Sequence, residues 1–169
     1  KTNLKEITLT TNGTLLKKYA KLLKQYGINR INVSLDTINP EKYNKITRFG
    51  NIEKVFDGIN EALDNNIKIK INTVVIKDFN ENEIEDLINW TNSKKIDLTF
   101  IEVMPMEETD ISREYQFTSL TEIFNKLNKI YNFKQSNYNT GGPARYYVSD
   151  NLSIKIGFIS PLTNNFCAS

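Results

Sequence analysis

Four short segments in which apolar and polar residues alternate place the strongest constraint on the fold. They lie near residues 6–10, 30–35, 67–76 and 96–104. Alternation with a period of two is typical of β-strands that have one apolar and one polar face. A stretch with helical spacing of its apolar residues separates each segment from the next. This order predicts βαβ crossovers and a parallel sheet.

The helical stretches carry start and stop signals. Gly27 predicts the end of the first helix, because glycine readily adopts the left-handed conformation that ends many helices. Asn80, followed by Glu83, predicts the N-cap of the helix before the fourth strand. Helices are expected over residues 14–26, 40–47, 52–65 and 81–93. The first places a set of apolar residues on one side: Leu15, Leu16, Tyr19, Leu22 and Leu23.

The composition changes after Pro105, where an acidic and irregular stretch begins. A helix over residues 118–130 follows, and then three β-like stretches near 134–136, 144–148 and 153–159. We therefore expect residues 1–105 to form part of an α/β barrel, with about four βα units. Residues 106–169 are expected to form a small α+β extension, in which Tyr138, Tyr146 and Tyr147 serve packing.

Polar side chains near the C-terminal ends of the strands indicate a binding face. A parallel sheet is normally covered on both sides, and its strands then read as almost continuous apolar runs. Here each strand keeps one polar face, and a buried polar group without a partner costs about 1–3 kcal/mol. Either the sheet curls so that its polar face lines a ligand-filled channel, or helices cover one face and water the other. Successive crossovers on one face favour the curled sheet. The residues concerned are Thr10, Asn12, Ser34, Asp36, Lys70, Asn72, Glu102 and Met104.

The composition excludes several classes of function. A net charge of +2 offers no argument for a nucleic-acid partner. No apolar run approaches the roughly 18 residues that span a membrane. A single cysteine excludes an internal disulfide and favours a reducing cytoplasm. The complete absence of histidine excludes a Ser-His-Asp triad and histidine-ligated zinc. The chemistry must therefore depend on other groups or on a bound cofactor.

Five local strings resemble successive signatures of the GTP 3′,8-cyclase family (molybdenum cofactor biosynthesis protein A), within the radical S-adenosylmethionine (SAM) superfamily. TTNG alone is shared across radical SAM enzymes, but the five together occur in the family's order over nearly the whole chain. They are Leu9-Thr-Thr-Asn-Gly13, Asn32-Val-Ser-Leu-Asp36, Lys70-Ile-Asn72, Phe100-Ile-Glu-Val-Met-Pro105 and Ile156-Gly-Phe-Ile-Ser160 with Asn165-Phe-Cys167.

The resemblance implies a partial (β/α)6 barrel that holds SAM and a [4Fe-4S] cluster at its strand ends. In the family, reduction of SAM gives a 5′-deoxyadenosyl radical that abstracts hydrogen from the ribose of GTP. The product is (8S)-3′,8-cyclo-7,8-dihydroguanosine 5′-triphosphate, a precursor of the molybdenum cofactor. Two [4Fe-4S] clusters are implied for the full-length protein.

Five positions match family residues with a role. Thr10 and Lys70 match positions that contact GTP. Ser34 and Met104 match positions that contact SAM. Cys167 matches the first ligand of the second cluster. The resemblance implies no catalytic side chain of the protein itself, because the cofactor supplies the difficult chemistry.

The sequence departs from the family pattern in four respects. The glycine-rich segment after the second strand and the arginine-rich C-terminal motif are missing. The CxxxCxxC motif that holds the SAM cluster is missing, so we expect an internal fragment that is inactive alone. Thr99 stands where members often carry an arginine near the nucleotide. Two alternatives stay open: a radical SAM enzyme with another substrate, and a degenerate barrel-type binding module.

The expected partners follow from the resemblance and the composition. They are GTP as substrate, an electron donor for cluster reduction, and the downstream cyclic pyranopterin monophosphate synthase. Neither nucleic acid nor a membrane is expected, and a homodimer is left open.

Overall fold

The computed structural model describes residues 6–103 and 117–160. Its strands there are β1 (Thr8–Thr11), β2 (Arg30–Ser34), β3 (Lys68–Val75), β4 (Asp97–Glu102), β5 (Lys134–Gln135), β6 (Arg145–Val148) and β7 (Ile156–Ile159). Its helices are α1 (Leu16–Gln25), α2 (Pro40–Ile46), α3 (Ile52–Asp64), α4 (Ile84–Ser93) and α5 (Leu120–Tyr131). The strand–helix alternation predicted from the sequence is confirmed. The chain divides into two compact units, residues 1–72 and 73–169, and the boundary expected near residue 105 stays a prediction.

In the first unit, β1, β2 and β3 lie side by side and run parallel. Their register pairs Thr10 with Asn32, and Asn32 with Lys70. The next row toward the C-terminal ends pairs Ser34 with Asn72. Because side chains directly opposite each other lie on the same face, these five residues share one face of the sheet.

On the other face, Leu9 of β1 is 36% exposed, and β2 and β3 form the core of the first unit. It consists of branched aliphatic residues, and burying each fully contributes about 1.5–3 kcal/mol. A Cβ atom added to Gly13 would lie 3.1 Å from Val33 of β2 and 2.9 Å from Val55 of α3, so helix α3 packs over this face. The buried strand residues of this unit are Ile31, Val33, Ile69 and Ile71.

Helices α1 and α3 approach each other closely at Gly58. A Cβ atom added there would lie 2.7 Å from the Gly13 carbonyl oxygen and 2.9 Å from the Leu16 Cβ. The same two helices share an ion pair, in which Lys17 Nζ lies 2.9 Å from Asp57 Oδ2. Glycine at position 58 therefore permits this approach.

The apolar side of α1 is only partly buried. Leu16 and Ala20 are buried. Leu15, Tyr19 and Leu22, which the helical pattern assigned to the same side, are 63%, 38% and 45% exposed. The helix thus carries a second apolar stripe that the described residues leave uncovered.

The N-cap predicted at Asn80 is wrong. A 3-10 turn over Glu81–Glu83 precedes α4, and Asn80 makes no side-chain cap. Its Oδ1 instead accepts from the Ile76 backbone N–H at 2.8 Å, and its Nδ2 donates to the Val74 carbonyl at 2.8 Å. The amide therefore satisfies the backbone at the end of β3.

In the second unit the strand order is β4-β7-β6-β5, with β7 parallel to β4 and antiparallel to β6. Aromatic rings join these strands to α5, as shown by the 4.7 Å and 5.4 Å separations of the Phe124 ring centroid from those of Tyr147 and Phe158. Tyr146 is buried on the opposite side of β6. The packing role predicted for Tyr146 and Tyr147 is confirmed.

Hydropathy gives no sign of a membrane span, since no helix within residues 6–103 and 117–160 is long and apolar enough to cross a bilayer.

We predict that Gly58→Ala lowers the free energy of unfolding by about 1–2 kcal/mol, measured by denaturant titration. Overpacking costs about 1–3 kcal/mol, and the better helix propensity of alanine offsets up to about 1 kcal/mol of it. Gly142→Ala is the control, because the nearest atom to a Cβ there is the Thr140 hydroxyl at 3.9 Å. A Gly58→Ala protein as stable as the control would contradict the close helix contact.

Candidate functional site

The first row of the polar face joins Thr10, Asn32 and Lys70 across three strands. Asn32 Nδ2 donates a hydrogen bond to Thr10 Oγ1 at 3.5 Å. The ammonium-bearing Lys70 is only 8% exposed, whereas Thr10 is exposed. The two residues predicted to contact substrate are therefore brought into one row, with Asn32 between them.

The second row joins Ser34 and Asn72. Ser34 is the last residue of β2 and is exposed, while Asn72 is half-buried beside it. The sequence assigned Ser34 to the cofactor, and the register places it one row beyond the predicted substrate pair. Parallel strands carry ligands at this C-terminal end in barrel-type α/β folds.

Two carbonyl oxygens on this face are buried without a partner. Asn32 Oδ1 and Asn72 Oδ1 accept no hydrogen bond from the described residues. Buried polar atoms are almost always paired, so an exception needs a physical explanation. A ligand that donates hydrogen bonds would provide one.

The same face is positively charged. Arg30 of β2 lies opposite Lys68 of β3, one row nearer the N-terminal ends of the strands than the first row. Lys70 follows Lys68 two residues later on β3. Arg30 Nη2 forms an ion pair with Glu6 Oε2 at 2.8 Å. The cations on this face suit a ligand that carries negative charge.

Two further sequence candidates have structural contacts. Asn12 Oδ1 accepts from the Thr14 backbone N–H at 3.1 Å and from its hydroxyl at 2.8 Å, so it shapes the turn before α1. Asp36 lies near the buried Tyr43 ring, where burial raises the pKa of Tyr43 and the Asp36 carboxylate raises it further.

The expectation that Glu102 belongs to the polar binding face stays a prediction. Glu102 is 1% exposed, and its Oε1 accepts from the Leu120 backbone N–H at 3.3 Å. That N–H is at the first residue of α5 and has no partner within the helix. Glu102 therefore has a structural role at the start of α5.

Thr99 is fully buried in the second unit. A Cβ atom added to Gly157 would lie 2.8 Å from Thr99 Oγ1 and 2.9 Å from an atom of the Tyr146 ring. Thr99 and Tyr146 therefore both pack closely against this glycine. The hydroxyl has no partner among the described residues. Met104 and Cys167, predicted to contact SAM and the second cluster, lie outside the described residues.

Two family models match the sequence of the chain. Residues 1–91, more than half of the chain, match the family model of the Radical SAM superfamily. The chain belongs to the radical SAM superfamily. Residues 96–169 match a second model, Molybdenum Cofactor Synthesis C.

The curated relatives agree with both models. The chain is 46% identical over 166 residues to a GTP 3′,8-cyclase of Sinorhizobium medicae, covering 98% of this chain and 48% of that protein. It is 47% identical over the same length to a GTP 3′,8-cyclase of Rhizobium etli. The chain thus spans about half the length of the curated relatives it matches.

Solved structures show the same fold. Native anSMEcpe with bound AdoMet and the Cp18Cys peptide matches with a TM-score of 0.61 and 22% identity, over 76% of this chain and 38% of that one. Native anSMEcpe with bound AdoMet alone gives the same score. This likeness confirms the α/β radical SAM fold predicted from the sequence.

The residues of the second row fit SAM. SAM offers hydroxyl and amino donors, and this row presents a hydroxyl on Ser34 and a buried acceptor oxygen on Asn72. A radical SAM cluster needs cysteine thiolates, and residues 6–103 and 117–160 contain no cysteine. No group of metal-ligating side chains occurs in that described part of the chain. The polar groups of this row therefore suit the organic cofactor.

We predict that Glu102→Ala lowers the free energy of unfolding by about 1–3 kcal/mol, because the buried Leu120 N–H loses its acceptor. Glu102→Gln keeps an acceptor oxygen and should cost less. Denaturant unfolding of the two variants measures the difference. If Glu102→Ala leaves stability unchanged but removes ligand binding, the structural role is wrong.

Proposed function

We propose that the protein is a GTP 3′,8-cyclase, a radical SAM lyase of molybdenum cofactor biosynthesis. It converts GTP to (8S)-3′,8-cyclo-7,8-dihydroguanosine 5′-triphosphate. The observation that carries the proposal is the row in which a buried lysine, an asparagine and a threonine lie side by side at the strand ends. The identity of 46% to GTP 3′,8-cyclases over 98% of the chain supports the same substrate.

Lys70 is the principal substrate contact in this proposal. Lys70 places a cation on the same face as Thr10 and Asn32, where an anionic ligand suits it. The triphosphate of GTP supplies such charge, and charge-assisted hydrogen bonds are about twice as strong as neutral ones. Thr10, whose hydroxyl already accepts from Asn32, contacts the same nucleotide.

Ser34 and Met104 hold the cofactor. The exposed Ser34 hydroxyl at the end of β2 donates to or accepts from SAM. Met104 follows β4 in sequence, and a soft apolar side chain suits packing against adenine. When bound, SAM and its [4Fe-4S] cluster supply hydrogen-atom abstraction. The protein groups orient the two ligands and exclude water around them.

The C-terminal part of the chain completes the proposal. We assign residues 1–105 to the partial barrel and 106–169 to the extension that leads to a second [4Fe-4S] cluster, with Cys167 as a ligand. The match of residues 96–169 to Molybdenum Cofactor Synthesis C supports this assignment and argues against a radical SAM enzyme of another pathway. An electron donor, the downstream cyclic pyranopterin monophosphate synthase and a cytoplasmic location belong to the same proposal.

We predict that Lys70→Ala in the intact, anaerobically reconstituted protein weakens GTP binding about 10-fold, or about 1–2 kcal/mol, because a charge-assisted contact is lost. Isothermal titration with GTP measures the change. Lys54→Ala removes the same charge from the exposed surface of α3 and is the matched control. Equal GTP affinities for both variants would refute the assignment of Lys70.

A further inference from the structure

The loop between α2 and α3 exposes a phenylalanine that the fold of the first unit does not use. Phe49 is 90% exposed, more than any other large apolar residue of the described part of the chain. A single exposed apolar side chain is common on protein surfaces and needs no explanation by itself. The backbone of this residue is uncommon, however, and it gives the exposure a meaning.

Phe49 and its neighbour Arg48 both adopt the left-handed backbone conformation, with φ of 79° and 53°. A bulky residue rarely does so, because its Cβ atom crowds the backbone. Glycine is the usual residue for such a position, yet the glycine of this loop stands one place later, where a Cβ atom would overlap Thr47 Oγ1. The sequence therefore keeps a phenylalanine at a strained position that glycine would occupy more easily.

Hydrogen bonds of the backbone and of short side chains hold this strained loop in place. The Phe49 N–H donates to the Asn44 carbonyl at 2.9 Å, and the Gly50 N–H donates to Thr47 Oγ1 at 3.0 Å. Asn44 Nδ2 donates to the Gly50 carbonyl at 3.3 Å, and Asn51 caps α3. The Phe49 side chain takes no part in these bonds. A strained position that its surroundings enforce is a frequent mark of function.

The surface around the ring is complementary to itself. A shallow depression lies beside Phe49, lined in part by Pro40, Ile52 and Glu53. Arg48 and Glu53 are both exposed, and neither forms an ion pair with the described residues. A projecting ring, an adjacent depression and unpaired charges of both signs match the same patch of a second copy rotated by a two-fold axis. A partner of one charge sign would leave either Arg48 or Glu53 unmatched.

The loop lies at the C-terminal edge of the parallel strands. Helix α3 leads from it back to the start of β3, so the first turn of α3 is at the strand ends. A Cβ atom added to Gly13, two residues after β1 ends, would lie 2.9 Å from Val55 in that first turn. A second copy bound at the loop therefore stands at the same end of the sheet as the proposed binding face.

We propose that this loop is the contact surface of a two-fold homodimer. The Phe49 ring of each copy covers the depression of the other copy, and Arg48 of each copy pairs with Glu53 of the other. Because the patch is small, the dimer is weak and its population depends on protein concentration. This inference is independent of the proposed function, since it concerns a surface outside the polar face.

Sedimentation equilibrium of the intact protein, from about 1 µM to about 1 mM, measures the association. We expect the wild-type protein to form dimers within this range and Phe49→Ala to raise the dimer Kd at least about 10-fold. Tyr26→Ala is the matched control, because Tyr26 is also an exposed aromatic residue, at 76%, but follows α1 at the opposite end of the strands. It should leave the Kd unchanged.

A charge exchange tests the two-fold geometry. Arg48→Glu and Glu53→Arg should each abolish self-association, because each places like charges opposite one another. Mixed together, the two variants should form a heterodimer about as tight as the wild-type dimer, since every contact again joins opposite charges. A mixture that stays monomeric refutes the pairing of Arg48 with Glu53.

Thermal melting separates a binding role of Phe49 from a structural one. At a concentration where the wild-type protein is monomeric, Phe49→Gly should keep the melting temperature or raise it by up to about 4 °C, because glycine relieves the left-handed strain. A fall of several degrees with unchanged association shows a structural role and refutes the proposal. A wild-type protein that is monomeric throughout the range refutes it as well, and so does a dimer that Phe49→Ala leaves intact.

Discussion

The strand register of β1, β2 and β3 fixes which residues lie on the proposed binding face. Successive side chains point to opposite faces, so a slip of one residue would exchange the two faces completely. Such a slip would move Ile31, Val33 and Ile71 out of the core and place Lys70 beneath the helices. Each of these side chains contributes about 1.5–3 kcal/mol when buried, so exposing all three would cost about 4.5–9 kcal/mol. That loss is comparable with the net stability of a typical domain, about 5–15 kcal/mol. The apolar face therefore determines the position of every polar residue on the other face.

The two faces of the sheet, the packed face and the proposed binding face, contribute differently to stability. On the helix side, close packing at Gly13 and Gly58 leaves no space even for a methyl group. On the polar side, the protein keeps a buried lysine, and it also keeps two buried asparagine oxygens that have no partner among the described residues. A protein tolerates such groups where binding requires them. Their placement in two adjacent rows agrees with a radical SAM enzyme that must hold a substrate next to its cofactor.

The sequence predicts the elements and the two-faced strands because both depend on local periodicity. It does not single out Asn32, whose importance comes from its neighbours on β1 and β3, and the register between strands is not a local property. The sequence around Asn80 predicts a helix cap, but the Asn80 side-chain amide instead forms hydrogen bonds with two backbone groups at the end of β3. The alternation of residues in β4 predicts which face Glu102 lies on. It does not predict that the first residue of α5 donates a hydrogen bond to the Glu102 side chain. The exposed apolar stripe of α1, which includes Leu15, could not be predicted either. Helical spacing of apolar residues identifies an apolar side of a helix but does not show what packs against it.

A structure of the intact protein with GTP and SAM bound tests this account most directly. We predict that Lys70 Nζ lies within hydrogen-bond distance of GTP. Thr10 and Asn32 should contact the same nucleotide, and Ser34 should contact SAM. GTP bound elsewhere, with these side chains contacting only protein or solvent, would contradict it.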